Sequence, residues 1–381
     1  MFSWATKAVQ SGLSVVAGTA EPIYGPDHIK TVATQESLNP TYELRDDDLR
    51  WRAYDYTCVE TQTWYLTADN GMVALVQAIY SNVLKVQKNT QFVVKVFYPG
   101  NDGKVHWSST ELLDQGFDDE QFSFYAENLA IVLSEDKNSY KIMSKAAQDT
   151  QVNLEITRAG PGFKVGSTGE TLYGPDPQNP WGSMRHVFWP RTKVSGNIVI
   201  NGEKIDFAGK ALYIMACQGM KPHHAAARWN FVDFQGPTYS ALMMEFTTPP
   251  SYGDTVVNVA CIVTDDKLIG GGTKSSAEHV ESKLDPEPNW PQPTHLKYTW
   301  NLNGKDGKPV TASLEYQGER RERVDIMGEI PAVVKKIIGG VAGTKPYIYQ
   351  YITKESPLKI KIGDEEITEQ GTLYSEATFI S

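Results

Sequence analysis

Cysteine is scarce in this 381-residue chain: Cys58, Cys217 and Cys261 are the whole complement. A small odd number in apolar surroundings excludes a disulfide framework and leaves buried free thiols as the expectation. No Asn-x-Ser/Thr sequon with x other than Pro occurs, so the second mark of a secreted protein is missing too. Basic charge is in deficit. Thirty-six Lys and Arg stand against 46 Asp and Glu, a net charge of -10. That excludes nucleic acid as the main partner, because phosphate binding wants a basic face. No stretch of about 20 mostly apolar residues could span a bilayer as a helix. The G-x-S-x-G elbow, H-E-x-x-H, the Walker loop and a paired Cys/His signature are all absent.

What is present begins with MFSWATKAVQSGLSVVAG. At 100° per residue Phe2, Ala5, Val9, Leu13 and Val16 fall on one line, widened by Trp4, Ala8, Gly12 and Val15. Ser3, Thr6, Lys7, Gln10, Ser11 and Ser14 fill the other half. A signal peptide would need an unbroken apolar stretch, which Gln10, Ser11 and Ser14 interrupt, although Gly18-Thr19-Ala20 resembles a cleavage site. A helix packed on its own domain is the other alternative. The pattern favours a helix lying on a membrane surface over residues 1–18, with Phe2, Trp4, Val9, Leu13 and Val16 inserted. One lysine on the polar face means attachment by apolar insertion, hence a loosely packed bilayer. A free amine on Met1 would oppose the helix dipole beside Phe2, so acetylation of Met1 should strengthen attachment.

Hydrophobic residues make up 40% and aromatics 11% of the chain, enough for about two domains at this length. Residues 19–52 read as a linker ending in the acidic run 46–48, expected to be solvated. Beyond it, short runs rich in Val, Ile, Tyr and Phe alternate with turn residues. They are 61–67, 72–83, 91–98, 123–133, 152–158 and 197–207, with Asn201-Gly202 as a hairpin turn. After residue 225 the texture returns at 241–247, 255–264, 295–301, 310–316, 347–353 and 358–362. Ile330 to Ile338 fits a helix or a strand. Trp64 and Trp229 are each followed seven positions later by Gly and then an apolar strand. This echo fits two tandem β domains, 53–220 and 221–381. Gly270-Gly271-Gly272 lacks the Lys-Ser/Thr of a phosphate loop and reads as a flexible loop.

The densest polar-aromatic stretches flank the junction. Arg185, His186 and Trp189 lie in one, and His223, His224 and Arg228 in the other. Neighbouring histidines rarely share an ion, and no Asp, Glu or Cys-x-x-Cys completes a ligand set, so no metal is expected. The six residues either satisfy carbonyls where two barrels meet or line a ligand cleft between domains. They are the candidate lipid-binding residues; no catalytic residue and no cofactor is assigned.

The opening FSWATKAVQSGLSVVAGTAEPIYG, the stretch SMRHVFWPRTKVSGNI and the run QGMKPHHAAARWNFVDFQGPTYSALMMEFTTPPSYG resemble the fungal survival-factor family. The resemblance covers essentially the whole chain. It implies an all-β fold of two tandem lipocalin-like barrel or sandwich domains behind an N-terminal amphipathic helix. It implies an acetylated N-terminus docked on early Golgi membranes, ceramide or a related sphingolipid moved between endoplasmic reticulum and Golgi, and survival under oxidative stress. The implied location is the cytoplasm, peripheral on Golgi and endoplasmic reticulum, with the nucleus as a further compartment. The same plan resembles pericyclase-type cyclases and carotenoid hydratases, so an enzyme acting on a hydrophobic small molecule is the alternative. A pure interaction protein with filled barrels is the third reading.

Overall fold

A computed structural model describes residues 22–36, 42–83, 87–100, 103–329 and 344–381. The expected surface helix of residues 1–18 and the segment Ile330 to Ile338 lie outside the described residues. The rest is built of two antiparallel sheets. The first runs, neighbour to neighbour, through Val105–Glu111, Gln87–Phe97, Val73–Val83, Cys58–Ala68, Gly209–Gln218, Gly182–Ile200, Thr150–Arg158, Ser139–Ser144, Leu129–Leu133, Phe124–Ala126 and Gly116–Phe117. Its two end strands are not hydrogen-bonded to each other, so this module is a curved sheet with open edges.

The second sheet closes. Arg228–Gln235, Ser240–Thr247, Val256–Val263, Leu268–Gly272, Trp290–Gly304, Pro309–Gln317, Tyr347–Ile362 and Glu365–Phe379 form a barrel of eight strands. Closure falls on the glycine run expected to be a loop. Gly270 pairs with Gly304 and Gly271 with Asn303. The missing side chains let strands meet at a sharp corner. A Cβ on Gly271 would lie 2.7 Å from Cε2 of Phe163 in the first module. The glycines are therefore a buried strand where two modules press together.

Alternation along the strands explains the packing. In Cys58–Ala68 the side chains of Trp64 and Leu66 enter the first module's interior, while Tyr65 points out of it. Tyr213 and Met215 go in; Leu212 and Ile214 go out. In the second module Val232, Phe234, Ala260 and Ile262 face inward, and Phe231, Val259 and Cys261 face outward. The outward sets pack on each other, so the modules meet back to back. Strands buried on both faces read as continuous apolar runs rather than alternating ones. A bulge between Trp189 and Thr192 interrupts alternation and sends Arg191 across the seam. There it donates to the carbonyls of Gly236 at 3.0 Å and Pro237 at 2.6 Å, and to Ser240 Oγ at 3.0 Å.

The segment expected as a linker is part of the fold where it is described. Ile29–Lys30 pairs with Glu170–Tyr173, and Leu49 and Trp51 are core residues. The acidic run is not solvated at its third position. Asp48 is 3% exposed and receives Lys164 Nζ at 2.8 and 2.7 Å and Arg185 Nη2 at 3.1 Å. Two buried cations, Lys164 from a later loop and Arg185 from the strand Gly182–Ile200, bring it inward, because each needs a counter-charge once out of water.

Candidate functional site

Three registered rows line the interior face of the first module. Arg185, Cys217, Glu60 and Tyr80 form one row across four strands. Val187, Met215, Gln62 and Ala78 form the next, and Trp189, Tyr213, Trp64 and Val76 the third. Tyr140 reaches into the third row from a neighbouring part of the sheet. Its ring lies 5.5 Å from Trp64, 5.0 Å from Tyr213 and 5.2 Å from Trp189. Its hydroxyl receives Gln62 Nε2 at 3.3 Å and stands 3.1 Å from the Tyr213 hydroxyl.

This core is unusual in what it leaves unpaired. The indole N–H groups of Trp64 and Trp189, the amide oxygen of Gln62 and Nη1 of Arg185 are buried with no hydrogen-bond partner. A buried polar group left unmade costs about 1–3 kcal/mol, so an interior that gathers four of them is built for something other than stability. The closed barrel also leaves Asn258 Oδ1 and Gln292 Nε2 unpaired, but its interior rings find partners. There Trp300 donates to the Leu242 carbonyl at 3.0 Å, Tyr298 to Ser375 Oγ at 2.9 Å and Tyr351 to the Pro293 carbonyl at 2.8 Å. Apolar walls flank the polar row in the first module, among them Ile131, Ile142, Leu154 and Ile156.

Charge gathers at one end of that interior. Arg185 Nε and Nη2 are held by the Thr168 carbonyl at 3.0 Å and the Asp48 carbonyl at 2.9 Å. Glu60 accepts the backbone N–H of Arg52 and of Ala53, each at 2.8 Å. Burial pushes its carboxyl up to about 7, against those two hydrogen bonds. Both of its oxygens are thus engaged in fixing the segment that crosses this end.

The six candidates from the sequence separate. Arg185 and Trp189 belong to the interior just described. His186, one residue along from Arg185, points the opposite way into the seam, stacked 6.1 Å from Phe188 and edge-on to Trp229 at 5.7 Å. His223 and His224 sit on the short helix Pro222–Ala225 at the seam's rim, and Arg228 is exposed. A single junction cleft made of all six does not form, because adjacent strand residues face opposite sides. The sequence alone does not single out Trp64, Tyr140, Tyr213, Gln62 and Glu60 as a site; their signal is the inward parity shared by Cys58–Ala68, its partner Gly209–Gln218 and, further along the same sheet, Ser139–Ser144, which needs the pairing to be known. Among the described residues no cluster of His, Cys, Asp or Glu could hold a metal.

His186 carries a pH consequence. Burial, with Arg185 adding to it, pulls its imidazole down to about 4 from 6.5. The folded chain keeps it neutral while the unfolded chain takes up a proton below pH 6.5. Stability from this residue is therefore complete above 6.5 and is lost as pH falls toward 4. Urea unfolding at pH 7 and pH 4.5 should show wild type losing roughly 2 kcal/mol more than His186→Phe. Equal losses would mean that His186 is solvated.

A surface depression of about 780 Å³ lies elsewhere, on the outer face of the first sheet beside Lys141, Met143, Lys145, Gln151, Asn153 and Asn197. Open to water and lined by solvated side chains, it offers no desolvated group with which to select a ligand.

Open-edged and closed β modules packed back to back define a two-domain, lipocalin-like fold, and solved structures share it. A putative AttH from Nitrosomonas europaea superposes with a TM-score of 0.57 at 15% identity, covering 89% of this chain and 98% of its own. Kievitone hydratase from Nectria haematococca gives 0.53 at 14% identity, covering 94% and 98%. The chain belongs to the Svf1 family, whose model matches residues 6–381. It is similar to the ceramide-binding protein svf1 of Emericella nidulans, 50% identical over 98% of this chain and 99% of that one. It is also similar to the ceramide-binding protein svf-1 of Neurospora crassa, 50% identical over the full length of both. The Schizosaccharomyces pombe protein of the same name is 40% identical over 98% and 99%.

Proposed function

We propose that this chain binds ceramide without chemically changing it, and holds the polar end of the lipid in the interior of the first module. The observation that carries the reading is the unpaired set of Trp64 Nε1, Trp189 Nε1 and Gln62 Oε1 in two adjacent buried rows. A ceramide presents an amide and two hydroxyls. Two indole donors suit its oxygen acceptors, and the Gln62 oxygen suits its N–H or O–H. The apolar walls suit its chains. The names of the relatives support the same ligand. Glu60 titrates near neutrality, which would suit an acid or base, but its oxygens are spoken for by Arg52 and Ala53, which supports binding over catalysis.

Transfer between endoplasmic reticulum and early Golgi, a peripheral cytoplasmic location and support of survival under oxidative stress complete the proposal. An amphipathic helix at residues 1–18 would set the location, and the β modules would hold the cargo. The test is capture of a photoactivatable ceramide by the purified full chain, with unlabelled competitors. Ceramide should compete, and a long-chain base lacking the amide carbonyl should not. Failure to capture, or recovery of a converted lipid, would overturn the reading.

A further inference from the structure

Resting on that reading, we infer that the face bearing Ile23, Tyr56 and Trp181 docks on a neutral, loosely packed lipid bilayer. Large apolar side chains are exposed there together: Ile23 at 83%, Tyr56 at 41% and Trp181 at 46%. Tyr56 and Trp181 line a depression of about 340 Å³ with Tyr24 and Lys221, and Ile23 directly precedes Tyr24 in the chain. Tyr24 lies 4.8 Å from Trp181, ring to ring, and Tyr54 stacks on Tyr56 at 4.7 Å. The rings are thus braced as rigid amphipathic plates, the kind of side chain that settles at a membrane–water boundary.

Chain length sets the occupant. The N–H groups of Tyr24 and Gly25 both donate to the Ser251 carbonyl, at 2.8 and 2.9 Å, which pins the chain to the fold at this point. No more than about 18 Å of extended backbone separates residue 18 from Ile23. A segment 1–18 lying on a bilayer, as its apolar period indicates, therefore holds this face against the same bilayer. Lys221 is the single Lys, Arg, Asp or Glu among the residues that line the depression, so insertion of rings rather than attraction to anionic lipid supplies the binding.

The face also has a position relative to the cargo. Tyr56 belongs to the segment whose Arg52 and Ala53 amides are held by Glu60, at the Arg185 end of the first module's interior. The Tyr54 carbonyl receives Asn82 Nδ2 at 3.0 Å from the interior side of the sheet. Docking here would place the bilayer at the charged end of the proposed ceramide chamber.

The test is flotation of the full chain with dioleoyl-phosphatidylcholine vesicles, beside ceramide capture in membrane-free solution. Ile23→Asp and Trp181→Ala should each reduce flotation about fivefold or more and leave capture unchanged. Leu284→Asp, an exposed apolar position on the other module, should float as wild type does. Flotation of Ile23→Asp and Trp181→Ala equal to wild type would overturn the docking face, as would a wild type that does not float. Normal flotation losses in a protein that captures no ceramide would sustain the docking face and sink the cargo reading alone.

Discussion

Replacing Asp48 with alanine should lower the unfolding free energy by about 3–5 kcal/mol, the loss expected when one partner leaves a buried ion cluster. The Asp48 carboxylate lies against Lys164 and Arg185, whose side chains are each 1% exposed. Without it, Lys164 Nζ retains the Ser167 carbonyl at 2.6 Å, and Arg185 retains the Thr168 and Asp48 carbonyls. Neutral carbonyls do not replace a counter-charge in a dry interior. Removing Lys164 as well, in Asp48→Ala/Lys164→Met, should recover part of the loss, because one uncompensated cation is gone. Urea denaturation of the three proteins decides it. A loss below 1 kcal/mol for Asp48→Ala would mean that water reaches the cluster and that Arg185 is not fixed as described.

Opposite signs for stability and binding are expected at Gln62. Leucine has nearly the same shape and removes an amide oxygen that has no partner, together with a 3.3 Å hydrogen bond from Nε2 to Tyr140. One unmade acceptor is relieved and one long hydrogen bond is lost, so the melting temperature of Gln62→Leu should be unchanged or raised. Ceramide capture should fall by about tenfold, the equivalent of one hydrogen bond to a desolvated ligand. Trp64→Phe deletes an unpaired donor in the adjacent row and should weaken capture similarly, with some stability lost to the smaller ring. A purely structural residue would lose stability and binding together. Parallel losses in Gln62→Leu would therefore refute a ligand role for this row.

Much of the architecture was legible from the sequence for a simple reason. Runs such as 72–83 and 310–316 are β-rich segments between turn residues, and each became one strand, Val73–Val83 and Pro309–Gln317. The Trp-to-Gly echo fell on the first hairpin of each module, Cys58–Ala68 with Val73–Val83 and Arg228–Gln235 with Ser240–Thr247. Its two tryptophans nonetheless face different compartments, Trp64 the interior and Trp229 the seam. Glu365–Phe379 starts with a charged stretch and hides as a strand, since it forms the outer part of a long hairpin with Tyr347–Ile362. The glycine run misled because barrel closure is a long-range event with no local mark. Arg185 and His186 were read as one cluster because sequence adjacency conceals which way a strand residue points. The interior row needed two strand pairings before Trp64, Tyr213 and Trp189 could be seen side by side.

The most direct measurement is the site of a covalent mark. A ceramide carrying its photoreactive group beside the amide would be bound to the full-length protein, irradiated, and the labelled peptides sequenced. Label should concentrate on Cys58–Ala68, Gly182–Ile200 and Gly209–Gln218, at inward positions such as Gln62, Trp64, Trp189 and Tyr213. Label confined to seam positions such as His186 and Tyr65, or to the closed barrel around Tyr298 and Tyr351, would contradict a chamber in the first module.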